Sequence, residues 1–143
     1  GGRARRARSA SSDVLMNLRT ALDGLDRHDD ALSAARRQRD MLDVAAAKAA
    51  TPAAASTFNW PRAEVYVYLG DPLALVAALE QSAADLPTNY DPPHRVAWLY
   101  YKAGRLTDAK AWGDKALALA YGARRDRVAK LLADIAATPA AAP

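Results

Sequence analysis

The sequence predicts an all-α protein. Alanine supplies 36 of the 143 residues, whereas aromatic residues make up only 7% of the chain. β-Sandwiches and β-barrels need β-branched and aromatic residues with frequent turn glycines, so this composition argues against both. Apolar residues recur at three- and four-residue spacing between clusters of Gly, Pro and Asp, which is the pattern of short helices joined by tight turns. We therefore expect helices throughout and no strand.

The first predicted hairpin covers residues 13–50. Leucines at three- and four-residue spacing form the apolar stripe of its first helix: Leu15, Leu18, Leu22 and Leu25. The segment Asp26–Asp30 interrupts this stripe. The second helix follows, with Asp29 and Asp30 in its first turn, where negative charge suits the positive end of a helix.

Turn-forming residues divide the next part of the chain. After a connector over residues 51–59, a second hairpin covers residues 60–86 and turns at Gly70–Pro72. A third hairpin covers residues 92–121. Asp91 is expected to cap its first helix, which ends at Gly104.

One more helix is predicted over residues 124–137. Its apolar stripe consists of Val128, Leu131, Leu132 and Ile135. The two ends of the chain are predicted tails, basic and flexible over residues 1–12 and disordered over residues 138–143. The helical domain is therefore expected to span residues 13–137.

Small residues, an aromatic residue and a glycine recur at fixed spacing in the third hairpin. They are Val96, Ala97, Tyr100, Gly104, Ala109, Ala116 and Leu117. In this order residues 93–121 resemble a tetratricopeptide repeat (TPR), a pair of antiparallel helices. Small residues allow two helices to approach closely, and the aromatic ring fills the space that they leave.

The first two hairpins resemble the family less closely. Asp26 stands where the family has a glycine, and Gln38 stands where it has the second alanine. The second hairpin matches, with a turn one residue short, at Ala63, Tyr66, Gly70 and Ala74. The resemblance implies three antiparallel hairpins stacked as a TPR-like α-solenoid, with the last helix as a C-terminal cap. A plain helical bundle is the alternative fold, and the first stripe is too short for a coiled coil.

The net charge of +4 belongs to the N-terminal segment. Residues 1–12 contain four basic residues and no acidic one: Arg3, Arg5, Arg6 and Arg8. The remaining 16 basic and 16 acidic residues cancel. A basic arm binds phosphates without sequence preference, so contact with nucleic acid is one hypothesis. A solvated end is the favoured interpretation, because no aromatic residue accompanies the arginines.

The residue types that carry chemistry are few. The chain contains no cysteine and only two histidines, His28 and His94, which excludes a thiolate zinc site and a cysteine nucleophile. The acids around Asp26 lack the spacing of a calcium loop, and no glycine-rich phosphate loop is present. We therefore expect no metal, no cofactor and no enzymatic activity.

We expect no membrane span and no signal peptide in this chain, because it has no long apolar run and no apolar segment behind its N-terminal arginines. It also lacks an initiating Met, so we expect a processed form or part of a longer protein, whose compartment stays open. Its 15 Arg against 5 Lys, together with the many alanines, are typical of a GC-rich bacterial genome. We expect a monomer.

The TPR resemblance also implies a binding surface, because the first helix of each repeat lines the concave groove. The candidate groove residues are Asn17, Thr20, Glu64, Val67, His94, Arg95, Trp98, Tyr101 and Lys102. Trp98 and Tyr101 stand one turn apart beside two cations, as in many peptide-binding hot spots. Packing of Trp98 between repeats is the competing interpretation.

The sequence leaves two hypotheses for the function of a TPR-like chain. The first is a non-catalytic module that binds a protein or peptide segment in the groove. The second is a structural or regulatory TPR-like extension of a larger bacterial protein, for example an enzyme with a thioredoxin fold.

Overall fold

The computed structural model describes residues 2–140, with side chains from residue 12 onward. Its helices are α1 Gly2–Gly24, α2 His28–Lys48, α3 Pro52–Ser56, α4 Asn59–Tyr68, α5 Val76–Asp85, α6 Asp91–Lys102, α7 Leu106–Leu119 and α8 Gly122–Ala137, with a 3-10 turn at Pro72–Leu75. No strand occurs in this part of the chain, so the prediction of an all-α fold is confirmed.

The N-terminal end of the chain differs from the sequence prediction, whereas the last helix ends where it was predicted to end. Helix α1 already begins at Gly2, so the basic segment that was expected to be a flexible tail is helical from that residue. Helix α8 ends at Ala137, where the sequence predicts its end. Residues 141–143 of the predicted C-terminal tail lie outside the described residues.

The chain divides into two compact units after Gly70. This boundary falls inside the second predicted hairpin, 60–86, and assigns α4 to unit 1 and α5 to unit 2. Ala74, expected to be a packing alanine of that hairpin, is exposed in the 3-10 turn, and Leu75 is buried instead.

In unit 1, α2 packs against α1, α3 and α4. One apolar cluster of its core contains Ala35, Leu42, Ala45, Phe58 and Val65. The α1 stripe of the sequence prediction is half wrong: Leu15 and Leu22 are buried, but Leu18 and Leu25 are 43% and 70% exposed. Ser12 and Arg19 are buried in their place.

In unit 2, α6 packs against α5 and α7, and α7 packs against α8. The predicted stripe of the last helix is confirmed, because Val128, Leu131 and Ile135 are buried and Leu132 packs beside them. The same unit buries large apolar residues, among them Leu75, Leu79 and Leu99, together with the small residues Ala97, Ala109 and Ala116 of α6 and α7.

Gly113 of α7 lies against Leu132 of α8. A Cβ atom placed on this residue would lie 2.6 Å from Cδ2 of Leu132. Glycine in a helix interior costs about 0.5–1 kcal/mol relative to alanine. Here it lets the leucine of α8 seat directly against the backbone of α7.

Two turns, one in each unit, share one backbone geometry. Asp26 and Gly104 both adopt left-handed backbone, with φ of 57° and 77°. In each turn the amide that follows donates to the carbonyl five residues earlier at 2.8 Å, Arg27 to Leu22 and Arg105 to Tyr100. This bond closes a Schellman cap, which satisfies the last carbonyls of the preceding helix.

Candidate functional site

Helix α6 presents a row of cations and aromatic rings. Arg95, Trp98, Tyr101 and Lys102 lie at helical spacing along it, and we call these four residues the α6 face. The helix begins at Asp91, and the next two residues are prolines, whose fixed φ suits the first turn of a helix. The helix ends at Lys102, just before the turn at the left-handed Gly104.

The geometry of the α6 face couples one ammonium group to two rings. Nζ of Lys102 lies 5.7 Å from the ring centre of Trp98 and 5.9 Å from that of Tyr101. Lys102 is exposed, and it forms no ion pair with any residue whose side chain the structure describes. Nε of Arg95 lies 3.0 Å from Oδ1 of Asp91. The face therefore offers positive charge beside apolar ring surface.

Both rings of the α6 face also belong partly to the core. Trp98 and Tyr101 are half-buried and pack against the cluster of Ala97, Ala109 and Leu131. This packing holds the rings in fixed positions, so they lose little freedom when another molecule contacts their open sides. The packing interpretation of Trp98 therefore describes the buried part of its ring.

His94, one of the predicted groove residues, is buried rather than exposed. It is 8% exposed, and its ring stacks on that of Tyr90 with 6.1 Å between the ring centres. Its Nδ1 is buried without a hydrogen-bond partner. Burial, followed by the charges of Arg95 and Arg127, lowers the pKa of His94 to about 4. The ring is therefore neutral near pH 7.

The predicted groove residues of unit 1 have mixed surroundings. Asn17 and Thr20 are exposed on α1, and the hydroxyl of Thr20 donates to the carbonyl of Met16 at 3.0 Å. Val67 is half-buried on α4. Glu64 accepts from Arg19 at 2.9 Å, so its carboxylate holds α4 to α1.

A buried polar network joins three helices of unit 1. Arg19, only 6% exposed, donates to Oε1 of Gln38 at 3.2 Å as well as to Glu64, and its guanidinium lies 4.1 Å from the ring centre of Tyr68. The amide of Gln38 in turn donates to the hydroxyl of Ser12 at 3.1 Å. We call Ser12, Arg19, Gln38 and Glu64 the Arg19 network.

Sequence reasoning missed the Arg19 network, although a signal was present. Ser12, Leu15, Arg19 and Leu22 follow helical spacing, so the arginine stands on the buried face of α1. A search restricted to apolar residues selects Leu18 and Leu25 instead. Gln38, the mismatch to the alanine of the TPR pattern, was the second signal.

Asp23 links the end of α1 to two other helices. Oδ1 lies 2.9 Å from Nδ1 of His28 on α2, and Oδ2 accepts from the hydroxyl of Tyr68 on α4. The hydrogen bond from Tyr68 lowers the pKa of Asp23. The hydrogen bond to Asp23 raises the pKa of His28. Burial, followed by the bond to Asp23, raises the pKa of Tyr68 to about 12.

Unit 2 also contains an apolar cavity that no sequence motif indicates. Its volume is about 460 Å³, within the range of small-molecule sites. Helices α5 and α7, the loop between α5 and α6 and the first turn of α6 line it, with Leu86, Pro93, Trp112 and Leu119 among the apolar residues. Nζ of Lys115 lies at its rim, 4.0 Å from the ring centre of Trp112.

Several candidate chemistries have no counterpart in the described residues. Over residues 2–140, no group of three or more His, Cys, Asp or Glu residues is placed to hold a metal ion. Within the same range, no helix is long and apolar enough to cross a membrane. The side chains of Arg3, Arg5, Arg6 and Arg8, the proposed nucleic-acid contact, lie outside the described part.

The chain was also compared with known proteins. No protein-family model matches the sequence, and none of the curated proteins matches it either.

Proposed function

We propose that this chain is a TPR-like helical module that binds a segment of a partner protein on the α6 face and has no catalysis of its own. The α6–α7 hairpin supports the TPR-like part of the proposal. Ala97, Ala109 and Ala116 are fully buried at the contact of the two helices, and Gly104 makes the left-handed turn between them. These are the positions at which the family has small residues.

The observation that carries the binding function is the placement of Lys102 over two rings. A cation held near two aromatic faces keeps its charge accessible while the rings offer apolar contact. Binding hot spots concentrate aromatic and cationic side chains in this way. The matching partner segment carries an aspartate or glutamate next to a large apolar side chain.

Peptide selection followed by calorimetry tests this function. A random peptide library displayed on phage is selected against the folded chain, and the recovered peptides are synthesised. We expect them to pair an acidic residue with an aromatic or aliphatic one. Trp98→Ala and Lys102→Glu should each weaken their binding by about tenfold or more, as hot-spot truncations do.

The chain supplies its own matched control. Trp112 and Lys115 on α7 form a second cation–aromatic pair with a ring-to-ammonium distance of 4.0 Å. Trp112→Ala and Lys115→Glu should change the affinity of the same peptides by less than about threefold. Peptides whose binding depends on the α7 pair, or on neither pair, contradict the assignment to the α6 face.

A further inference from the structure

Helix α1 carries an exposed apolar strip beside its buried face. Val14, Leu18 and Leu25 are 64%, 43% and 70% exposed, and Ala21 between them is exposed as well. These three are among the seven large hydrophobic side chains that are exposed in the part of the chain with described side chains. Single exposed apolar residues are ordinary, but a row along one helix marks an interaction surface. We call these four residues the α1 strip.

The α1 strip has the spacing of a short helix–helix seam, which spans less than two heptads and is shorter than a coiled coil. Its members are separated by steps of four, three and four residues. At 3.6 residues per turn, the strip lies roughly a quarter of a turn around the helix from Leu15 and Leu22. Helix α2, which covers those two leucines, therefore leaves the strip open.

The order of side-chain sizes favours an antiparallel partner with the same strip. When two copies of α1 run in opposite directions, Leu18 of each faces Ala21 of the other, and Val14 faces Leu25. A large residue then meets a small one at the centre, which lets the two helices approach closely.

Charge favours the same arrangement. Residues 2–12 contain four arginines and no acid. The turn at the other end of α1 has three exposed aspartates, Asp26, Asp29 and Asp30, and one exposed arginine, Arg27, which pairs with Asp30. Since α1 extends back to Gly2, an antiparallel pair makes the basic segment of each copy run past the acidic turn of the other. A parallel pair would bring the two basic segments together.

We propose that two copies of this chain associate through the α1 strip, with their α1 helices antiparallel. The observation behind this dimer is independent of the α6 face. It replaces the monomer that the sequence leads us to expect, because Leu18 and Leu25 are exposed rather than part of the core.

Sedimentation equilibrium of the purified chain tests the association. We expect a reversible dimer whose dissociation constant rises by about tenfold or more in Leu18→Gln. Val44→Gln is the matched control, because Val44 is similarly exposed, at 48%, on α2. It should leave the constant within about threefold. Both variants should keep the circular dichroism spectrum of the parent, since both sites are exposed.

Single cysteines test the direction of the two helices in a chain that has no cysteine of its own. A mixture of Val14→Cys and Leu25→Cys chains should oxidise to the mixed disulfide dimer. Val14→Cys alone should form little dimer, because in the antiparallel pair its two sulfurs are about 16 Å apart along the axis. Efficient cross-linking of Val14→Cys to itself overturns the antiparallel arrangement. A chain that stays monomeric, or a dimer that Leu18→Gln leaves intact, overturns the proposal as a whole.

Discussion

The hairpins α1–α2 and α6–α7 turn in the same way but are held together by different chemistry. Asp26 and Gly104 make equivalent left-handed turns, and the residue five positions later, Ala31 or Ala109, is fully buried in both. Beyond the turn the two diverge. Both hairpins bury alanines on their second helix, but unit 1 also places a hydrogen-bonded arginine between its helices.

The difference shows that the turn and the helix contact are specified separately. A left-handed residue followed by a small buried one directs the second helix back along the first, whatever lies further along the pair. The Arg19 network then restricts how the neighbouring helices are oriented, because hydrogen bonds require particular atoms to meet. The alanines of unit 2 set the distance between its helices, because closely approaching helices exclude larger side chains.

Removing Arg19 should have the largest effect. Arg19→Met leaves Gln38 and Glu64 without their shared donor, so we expect the free energy of unfolding to fall by about 2–4 kcal/mol. Urea denaturation measures this change. Arg39→Met is the control, because Arg39 pairs only with its neighbour Asp40 near the surface, and it should cost less than about 1 kcal/mol.

A triple variant tests whether the lost stability comes from unpaired polar groups of the network or from the volume of its side chains. Replacing Arg19, Gln38 and Glu64 together by methionine removes all three partners at once, so only the buried hydroxyl of Ser12 loses its hydrogen bond, the one from Gln38. Most of the lost stability should return. A single Arg19→Met variant as stable as Arg39→Met would show that unit 1 does not depend on the network.

The two histidines should give the units opposite pH responses, of intermediate size. His94 in unit 2 has a pKa of about 4, below the ordinary 6.5. Between these values the unfolded chain binds a proton that the folded chain excludes. The free energy of unfolding therefore falls as the pH is lowered from about 6.5 to about 4, by about 2–3 kcal/mol. His94→Phe, which retains the stacking on Tyr90, should remove this part of the pH dependence.

His28 in unit 1 changes in the other direction. Its pKa is raised by the hydrogen bond to Asp23, so its stabilisation is complete below pH 6.5 and is lost as the pH rises through the raised value. With two histidines in the chain, two imidazole resonances in an NMR titration should move apart, one midpoint below and one above 6.5. The His28→Gln variant retains the resonance of His94 and so assigns the two resonances. Two midpoints near pH 6.5 would contradict both the burial of His94 and the hydrogen bond between His28 and Asp23.

Exchanging the turn residues should have the smallest effect. Asp26→Gly relieves left-handed strain at a non-glycine residue and should raise the free energy of unfolding by up to about 1 kcal/mol. Gly104→Asp introduces the same strain and should lower it by about 1–2 kcal/mol. Thermal melting of the two variants measures both signs. Shifts in the same direction would show that the two turns are not equivalent.

Sequence reasoning succeeded where local chemistry decides the structure. Gly104 is left-handed and the stripe of α8 is buried, as their residue types and spacing predict. The candidate pair Trp98 and Lys102 is in contact because three to four residues span one helical turn.

Sequence reasoning failed where the environment of a residue depends on distant parts of the chain. The burial of Arg19 requires Glu64, 45 residues later, and the burial of His94 requires packing around its ring that residue type does not reveal. The division after Gly70 is likewise a property of which helices pack together. None of these follows from helical periodicity.

The approach of Leu132 to Gly113 couples the two positions in the evolution of this sequence. With the leucine in its present rotamer, a Cβ atom at position 113 would lie 2.6 Å from Cδ2 of Leu132, so any side chain there requires the leucine to move. A smaller residue at 132 would open position 113 to alanine and to its better helix propensity. Among related sequences the two positions should therefore change together.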